Sequence, residues 1–148
     1  MSTNVTKILD KLKIYYQLFT KEEVENNEQF HQDSLIFKTL VTVSNTNKHY
    51  VFVVPLEETL NLKKAAKVVN EKSIEMIKQK DLYPLTGYYH GGCSPIGMKK
   101  EFKTVIDEFA CVLDKIIVSA GDVDYRIMIN VKDLEALLHD ASFADITN

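Results

Sequence analysis

The chain has 148 residues, 45% of them apolar and 26% charged, and a net charge of −3 at neutral pH. That length suits one independently folding domain, and that apolar share is too high for a disordered chain. No run approaches the roughly 18 apolar residues of a membrane span, and Met1-Ser2-Thr3-Asn4 leads into an amphipathic pattern with no leader signature, so a cytoplasmic protein with no membrane partner is expected.

Asn4 is positioned to cap a first helix that carries Val5, Ile8, Leu9 and Leu12 at helical spacing. Ile14 to Phe19, rich in aromatic and β-branched residues, predicts a strand. The polar stretch Lys21 to Ser34 predicts a loop with a short helix. A hairpin follows: Leu35 to Val43, a turn at Ser44-Asn45-Thr46-Asn47-Lys48, and His49 to Val54 ended by Pro55. Asn61 caps a lysine-faced helix over Leu62 to Val69, and Ser73 to Ile77 fits either a short strand or more helix.

Pro84 to Gly97 holds four of the five glycines and two of the three prolines. Thr104 to Asp107 and Ile116 to Ser119 read as buried strands, Ala120-Gly121-Asp122 as a turn, and Tyr125 to Asn130 as a further strand. Val131 to His139 closes the chain as a helix. Helices and strands alternate irregularly, and no G-x-G-x-x-G follows a strand. The pattern predicts an α+β fold, one domain over residues 1–148, with a mixed, barrel-like sheet flanked by helices.

The charge is uneven. Between Asn61 and Lys103, nine lysines face four acids, a local charge of +5 that leaves −8 on the rest. A basic face on an acidic protein suits one short phosphate-bearing ligand better than a duplex track, although a solvated helix face explains it too. Two cysteines, Cys93 and Cys111, fit a reducing compartment, and the four histidines lack metal-binding spacing. Neither a metal nor a cofactor is expected.

The loop Gly91-Gly92-Cys93-Ser94-Pro95-Ile96-Gly97 carries the strongest signal. Glycines admit a ligand close to the backbone, successive N–H groups in such a turn can grip an oxygen, and Pro95 pre-shapes the segment. Three glycines in seven residues exceed what a turn requires. Lys38 lies between Ile36 and Leu40 on one strand face, where it either enters a pocket or guards a strand edge. As a nucleophile Cys93 has only His90 nearby as a base, and a small adaptable loop residue is the simpler reading. Ser94 does not sit in a G-x-S-x-G elbow. Ser119 ends an apolar strand, a common position for ligand-facing groups.

These segments resemble the YbaK family of aminoacyl-tRNA deacylases, related to the editing domain inserted in bacterial prolyl-tRNA synthetases. The resemblance rests on Thr86-Gly87-Tyr88, the Gly91–Gly97 loop followed by Lys99-Lys100, Phe37-Lys38-Thr39-Leu40, Asn61-Leu62-Lys63-Lys64, Val118-Ser119-Ala120-Gly121 and Phe143-Ala144-Asp145-Ile146. It implies a trans-editing hydrolase acting on mischarged Cys- or Ala-tRNA-Pro, with tRNA as partner and association with prolyl-tRNA synthetase. It implies an essential Lys38 at the aminoacyl-adenosine end, backbone donors from Gly91–Gly97, and Ser119 and Gly121 lining the pocket. The nucleophile it implies is water, or the thiol of a cysteinyl substrate. Two positions depart from the family pattern: Lys21 replaces an expected tyrosine and Arg126 an expected acid. A non-catalytic module that binds a nucleotide or aminoacyl-tRNA end in the same pocket is the alternative.

Overall fold

The structure is a computed structural model that describes residues 2–148. Helix α1 (Asn4–Leu12) leads into strand β1 (Tyr16–Thr20), and the short helices α2 (Lys21–Glu25) and α3 (Glu28–Gln32) follow. The hairpin is β2 (Phe37–Ser44) and β3 (His49–Pro55); α4 (Leu62–Val68), β4 (Ile74–Met76) and α5 (Gln79–Thr86) come next. The chain finishes with β5 (Thr104–Asp107), a 3₁₀ turn at Glu108–Val112, β6 (Lys115–Asp122), β7 (Tyr125–Asn130), α6 (Val131–Leu137) and β8 (Ser142–Ala144).

The strands form two sheets. One is antiparallel with order β1-β7-β6, and the other is mixed with order β4-β2-β3-β5-β8, in which β3–β5 and β5–β8 run parallel. A single parallel bridge between Ile36 and Ile117 joins them. The α+β class is as expected, but the barrel-like sheet is two sheets seamed at one point, not a closed ladder.

Both sheets give their inner faces to one core. Phe37, Val41, Val51, Val53 and Ile106 meet Ile116, Val118, Ile127 and Ile129, with Val5 and Leu9 of α1 between them. Alternation along each strand sends every second residue there, which is why the apolar spacing was readable. Helix α4 covers the outer face of the mixed sheet with Ala65 and Ala66 against Phe52, Val54 and Val105. A third cluster, Val24, Ile36 and Ile117 with Phe19 and Phe30 packed edge to face, seats α2 and α3 on the antiparallel sheet.

Several local expectations change. The cap of α1 is Thr3, in a reciprocal box with Thr6, because Asn4 turns its amide elsewhere. Lys21 to Ser34 contains two helices, capped by the side chains of Thr20 and Asn27. Pro84 sits inside α5, in a region expected to be irregular; the helix lasts only to Thr86 before Gly87 at φ +83° stops it. Ala120-Gly121-Asp122 is not a turn but the end of β6. The register slips there, with Ser119 opposite Arg126 but Asp122 opposite Tyr125, so β6 bulges and the turn falls on Val123 and Asp124.

A cleft between the two sheets

Strand β2 is paired with β3 along its length, but on its other edge the chain meets Ile117 only at Ile36, just before the strand, and β4 only from Thr42 onward. Between those points the edge is open. Thr39 opposes Val53, and the carbonyls of Leu35 and Val41, four and two residues away in register, accept from Ile117 and Ile77 on this same side. By alternation the N–H and C=O of Thr39 point into the gap, where no described backbone group pairs with them. The gap is the mouth of a cleft of about 600 Å³.

Its buried wall is apolar, formed by Val24, Ile36, Phe37, Val41 and Leu82, and its exposed rim carries Lys21, Glu25, His31, Gln79 and His90. Lys38 lines it, half-buried and without an ion-pair partner among the described residues. Gly91, Cys93, Ser119 and Arg126 line it from the facing elements. Size and lining are those of a small-molecule site with a few polar groups on an apolar wall.

The Gly91–Gly97 loop divides. Gly91 and Cys93 reach the cleft, and no described acceptor takes the N–H of either. The N–H of Gly92 is spent on the Tyr89 carbonyl at 2.9 Å, and its Cα lies so near Val123 that a Cβ would sit 2.9 Å from that backbone nitrogen. Ser94 is fully buried, its Oγ accepting from Ile96 N at 3.2 Å. The Tyr88 hydroxyl donates to the Ile96 carbonyl, while Asn4 Nδ2 donates to both the Tyr88 oxygen and the Gly97 carbonyl at 3.1 Å. Pro95, Ile96 and Gly97 line a separate cavity of about 210 Å³ with Leu137 and Leu138. Gly121 lines neither; it forms the bulge packed on the Tyr88 ring.

Of the residues predicted from sequence, the cleft thus gathers Lys38, Gly91, Cys93 and Ser119, and it does not gather Gly92, Ser94, Pro95, Ile96, Gly97 or Gly121. Both departures, Lys21 and Arg126, line it. Burial pushes the Cys93 thiol up to about 12, so it stays protonated at neutral pH. Burial also lowers the Arg126 pKa, against the opposing pull of Glu25, Asp122 and Asp124. Its Nη1 is anchored to the carbonyls of Val123 and Tyr125 at 3.0 and 2.9 Å. Ser119 Oγ accepts from Gly121 N at 3.1 Å. Val24, Leu82 and Gln79 carried no sequence signal as site residues, because only the packing of α2 and α5 turns them toward β2.

Residues 17–137 match the family model of the aminoacyl-tRNA editing domain. The chain belongs to that family. The match takes in every residue that lines the cleft, while α1 and β8 fall outside it. EbsC of Enterococcus faecalis, a proposed Cys-tRNA(Pro)/Cys-tRNA(Cys) deacylase, is 40% identical over 153 residues, covering 98% of this chain and 93% of the relative. The solved structure of a proposed trans-editing enzyme for prolyl tRNA synthetase superposes with a TM-score of 0.81 at 21% identity, over 100% of this chain and 99% of that one. A scaffold used for epitope backbone grafting has the same fold, with a TM-score of 0.84 at 21% identity over 100% and 99% of the two chains. The editing-domain fold therefore extends beyond the matched segment to both ends of the chain, and α1 enters the site indirectly through Asn4.

Proposed function

We propose that this editing-domain protein is a trans-editing hydrolase that deacylates mischarged aminoacyl-tRNA, with Cys- or Ala-tRNA-Pro as its substrate. The observation that carries the reading is one cleft with an apolar wall that is lined together by Lys38, by Gly91 and Cys93, whose amides have no acceptor among the described residues, and by the open strand edge at Thr39. A volume of about 600 Å³ exceeds a cysteine or alanine side chain and leaves room for the terminal adenosine.

Hydrolysis forms a bond from a water oxygen to the ester carbonyl carbon. Negative charge moves to the carbonyl oxygen. The bond to the ribose oxygen then breaks, and that oxygen leaves as a hydroxyl with the proton the water lost. A cysteinyl substrate can attack with its own sulfur instead, closing a thiolactone and releasing the same ribose hydroxyl. Neither route needs a protein nucleophile, in keeping with a Cys93 thiol held protonated. The amides of Gly91 and Cys93 stabilise the developing oxyanion, Lys38 holds the aminoacyl-adenosine end, and Ser119 lines the pocket opposite. Lys21 and Arg126 add positive charge suited to nearby phosphates. The reading carries with it a cytoplasmic location, action of residues 1–148 as one domain, and association with prolyl-tRNA synthetase.

The test is a panel of Ala-, Cys- and Ser-tRNA-Pro incubated with the protein and its Lys38→Ala variant. Ester loss is expected with the parent, and a fall of roughly a hundredfold or more in the variant at unchanged thermal stability. Unchanged activity in Lys38→Ala removes that residue from the mechanism. Binding without ester loss across the panel replaces the enzyme by a binding module.

A further inference from the structure

Tyr83 and Tyr89 stack face to face, ring centroids 4.5 Å apart and planes 14° from parallel. The ammonium of Lys99 lies 4.5 Å from the centroid of Tyr83. Neither tyrosine belongs to a hydrophobic core; they are 42% and 66% exposed. Tyr89 is the more exposed although Tyr83 covers one of its ring faces, so its other face is open to solvent.

The arrangement is held in position. Tyr83 is on α5, next to Leu82 of the cleft wall, and Tyr89 precedes His90 and Gly91 of the rim. The Tyr89 carbonyl accepts from Gly92 N, and Lys99 N donates to the Thr86 carbonyl at 3.0 Å. The Lys99 stem runs over Gly87, where a Cβ would lie 3.2 Å from its Cγ. Lys78, Lys80 and Lys100 are exposed on the same basic stretch. A stacked aromatic pair with one open face, a cation beside it and positive charge around it has the composition of a base-stacking platform for single-stranded nucleic acid.

We propose that Tyr89, backed by Tyr83 and Lys99, stacks an unpaired base of the RNA whose aminoacyl end occupies the cleft. The proposal rests on the deacylase reading for the identity of that RNA, but its test does not require ester cleavage. The base is recognised by its π-face, so the platform supplies affinity with little sequence preference.

The probe is a short, single-stranded oligoribonucleotide ending in CCA and carrying no aminoacyl group, its affinity read by anisotropy for the parent protein and the Tyr89→Ala and Tyr89→Phe variants. A blunt RNA duplex of equal length serves as the second ligand. Tyr89→Ala should weaken single-strand binding roughly tenfold, Tyr89→Phe should retain it, and the duplex should show no dependence on Tyr89. The exposed position of Tyr89 makes a folding failure unexpected, and thermal melting of each variant checks it. Single-strand affinity within twofold of the parent in Tyr89→Ala overturns the proposal, as does an equal loss on the duplex. A protein that binds the oligonucleotide through Tyr89 but cleaves no ester loses the deacylase reading and keeps the platform. One that cleaves esters and ignores Tyr89 does the reverse.

Discussion

The two halves of Gly91–Gly97 belong to one glycine-bearing loop and are opposite in use. The first lines a cleft through Gly91 and Cys93, whose amides have no acceptor among the described residues, while Gly92 between them is tied to Tyr89. The second is buried from Ser94 to Ile96, hydrogen-bonded to itself and to Tyr88, and locked to α1 by Asn4 at Gly97. A run of small residues can therefore be half binding surface and half foundation, and the neighbours decide which half is which. The second half holds the first in position. Asn4 lies outside the segment matched by the family model, so the foundation draws on a helix beyond it.

Equal substitutions in the two halves should have unequal costs. Gly97 has φ +76°, and a Cβ there would lie 2.7 Å from Asn4 Nδ2, 2.7 Å from Ile8 Cδ1 and 2.9 Å from the Tyr88 hydroxyl. Gly91 has a similar φ of +87°, yet its Cβ would meet only Val123 Cγ1 at 4.0 Å. Both changes carry a left-handed backbone penalty of about 1–2 kcal/mol, and Gly97→Ala adds about 1–3 kcal/mol of overpacking. Denaturant unfolding should rank Gly97→Ala well below Gly91→Ala in stability. Equal losses would mean that the halves do not differ as the packing says.

Tyr88→Phe gives a smaller and sharper break. It removes one hydroxyl that donates to the Ile96 carbonyl and accepts from Asn4, and it leaves the ring in contact with Gly121. Stranding a buried carbonyl costs about 1–3 kcal/mol. Burial raises the pKa of this phenol, so it remains a donor throughout the neutral range. The expected result is a lower melting temperature with kcat retained well below the transition. A collapse of kcat in a folded variant would show that foundation and surface are not separable.

What the sequence made legible follows from where its signals are local. The β2–β3 hairpin, β5 and β7 were readable because apolar alternation is a property of consecutive residues. Lys38 and Gly91 were found because a lysine between apolar strand residues and a glycine cluster are local anomalies. The bulge at Gly121 was not readable, since a slip in β6 against β7 depends on the ring of Tyr88 more than thirty positions earlier. Nor was the capping of α1 by Thr3, because Asn4 looks the better cap until its partners at Tyr88 and Gly97 are known. The cleft itself arises where β4 ends too soon to cover β2, a length that no residue of β2 encodes.

The smallest expected effect is chemical rather than energetic, and it tests whether the Cys93 thiol, as distinct from its amide, is open to the cleft. The residue lines the cleft, but burial pushes its thiol up to about 12, only partly offset by a hydrogen bond from Thr86. Cys111 is exposed on the 3₁₀ turn. Only the thiolate is alkylated, so below pH 9 Cys93 should hold on the order of a thousandfold less reactive form than an ordinary thiol. Iodoacetamide at pH 8 should therefore label Cys111 and leave Cys93 and the deacylase activity untouched. The sign also fixes the alkaline behaviour. A thiol whose folded pKa lies above its unfolded value stabilises the fold fully below pH 9, and that contribution is lost as pH rises toward 12. Labelling of Cys93 should accordingly appear only at strongly alkaline pH, alongside loss of stability. Rapid labelling of Cys93 at pH 8 would mean that the cleft wets its thiol, reopening its claim as a nucleophile.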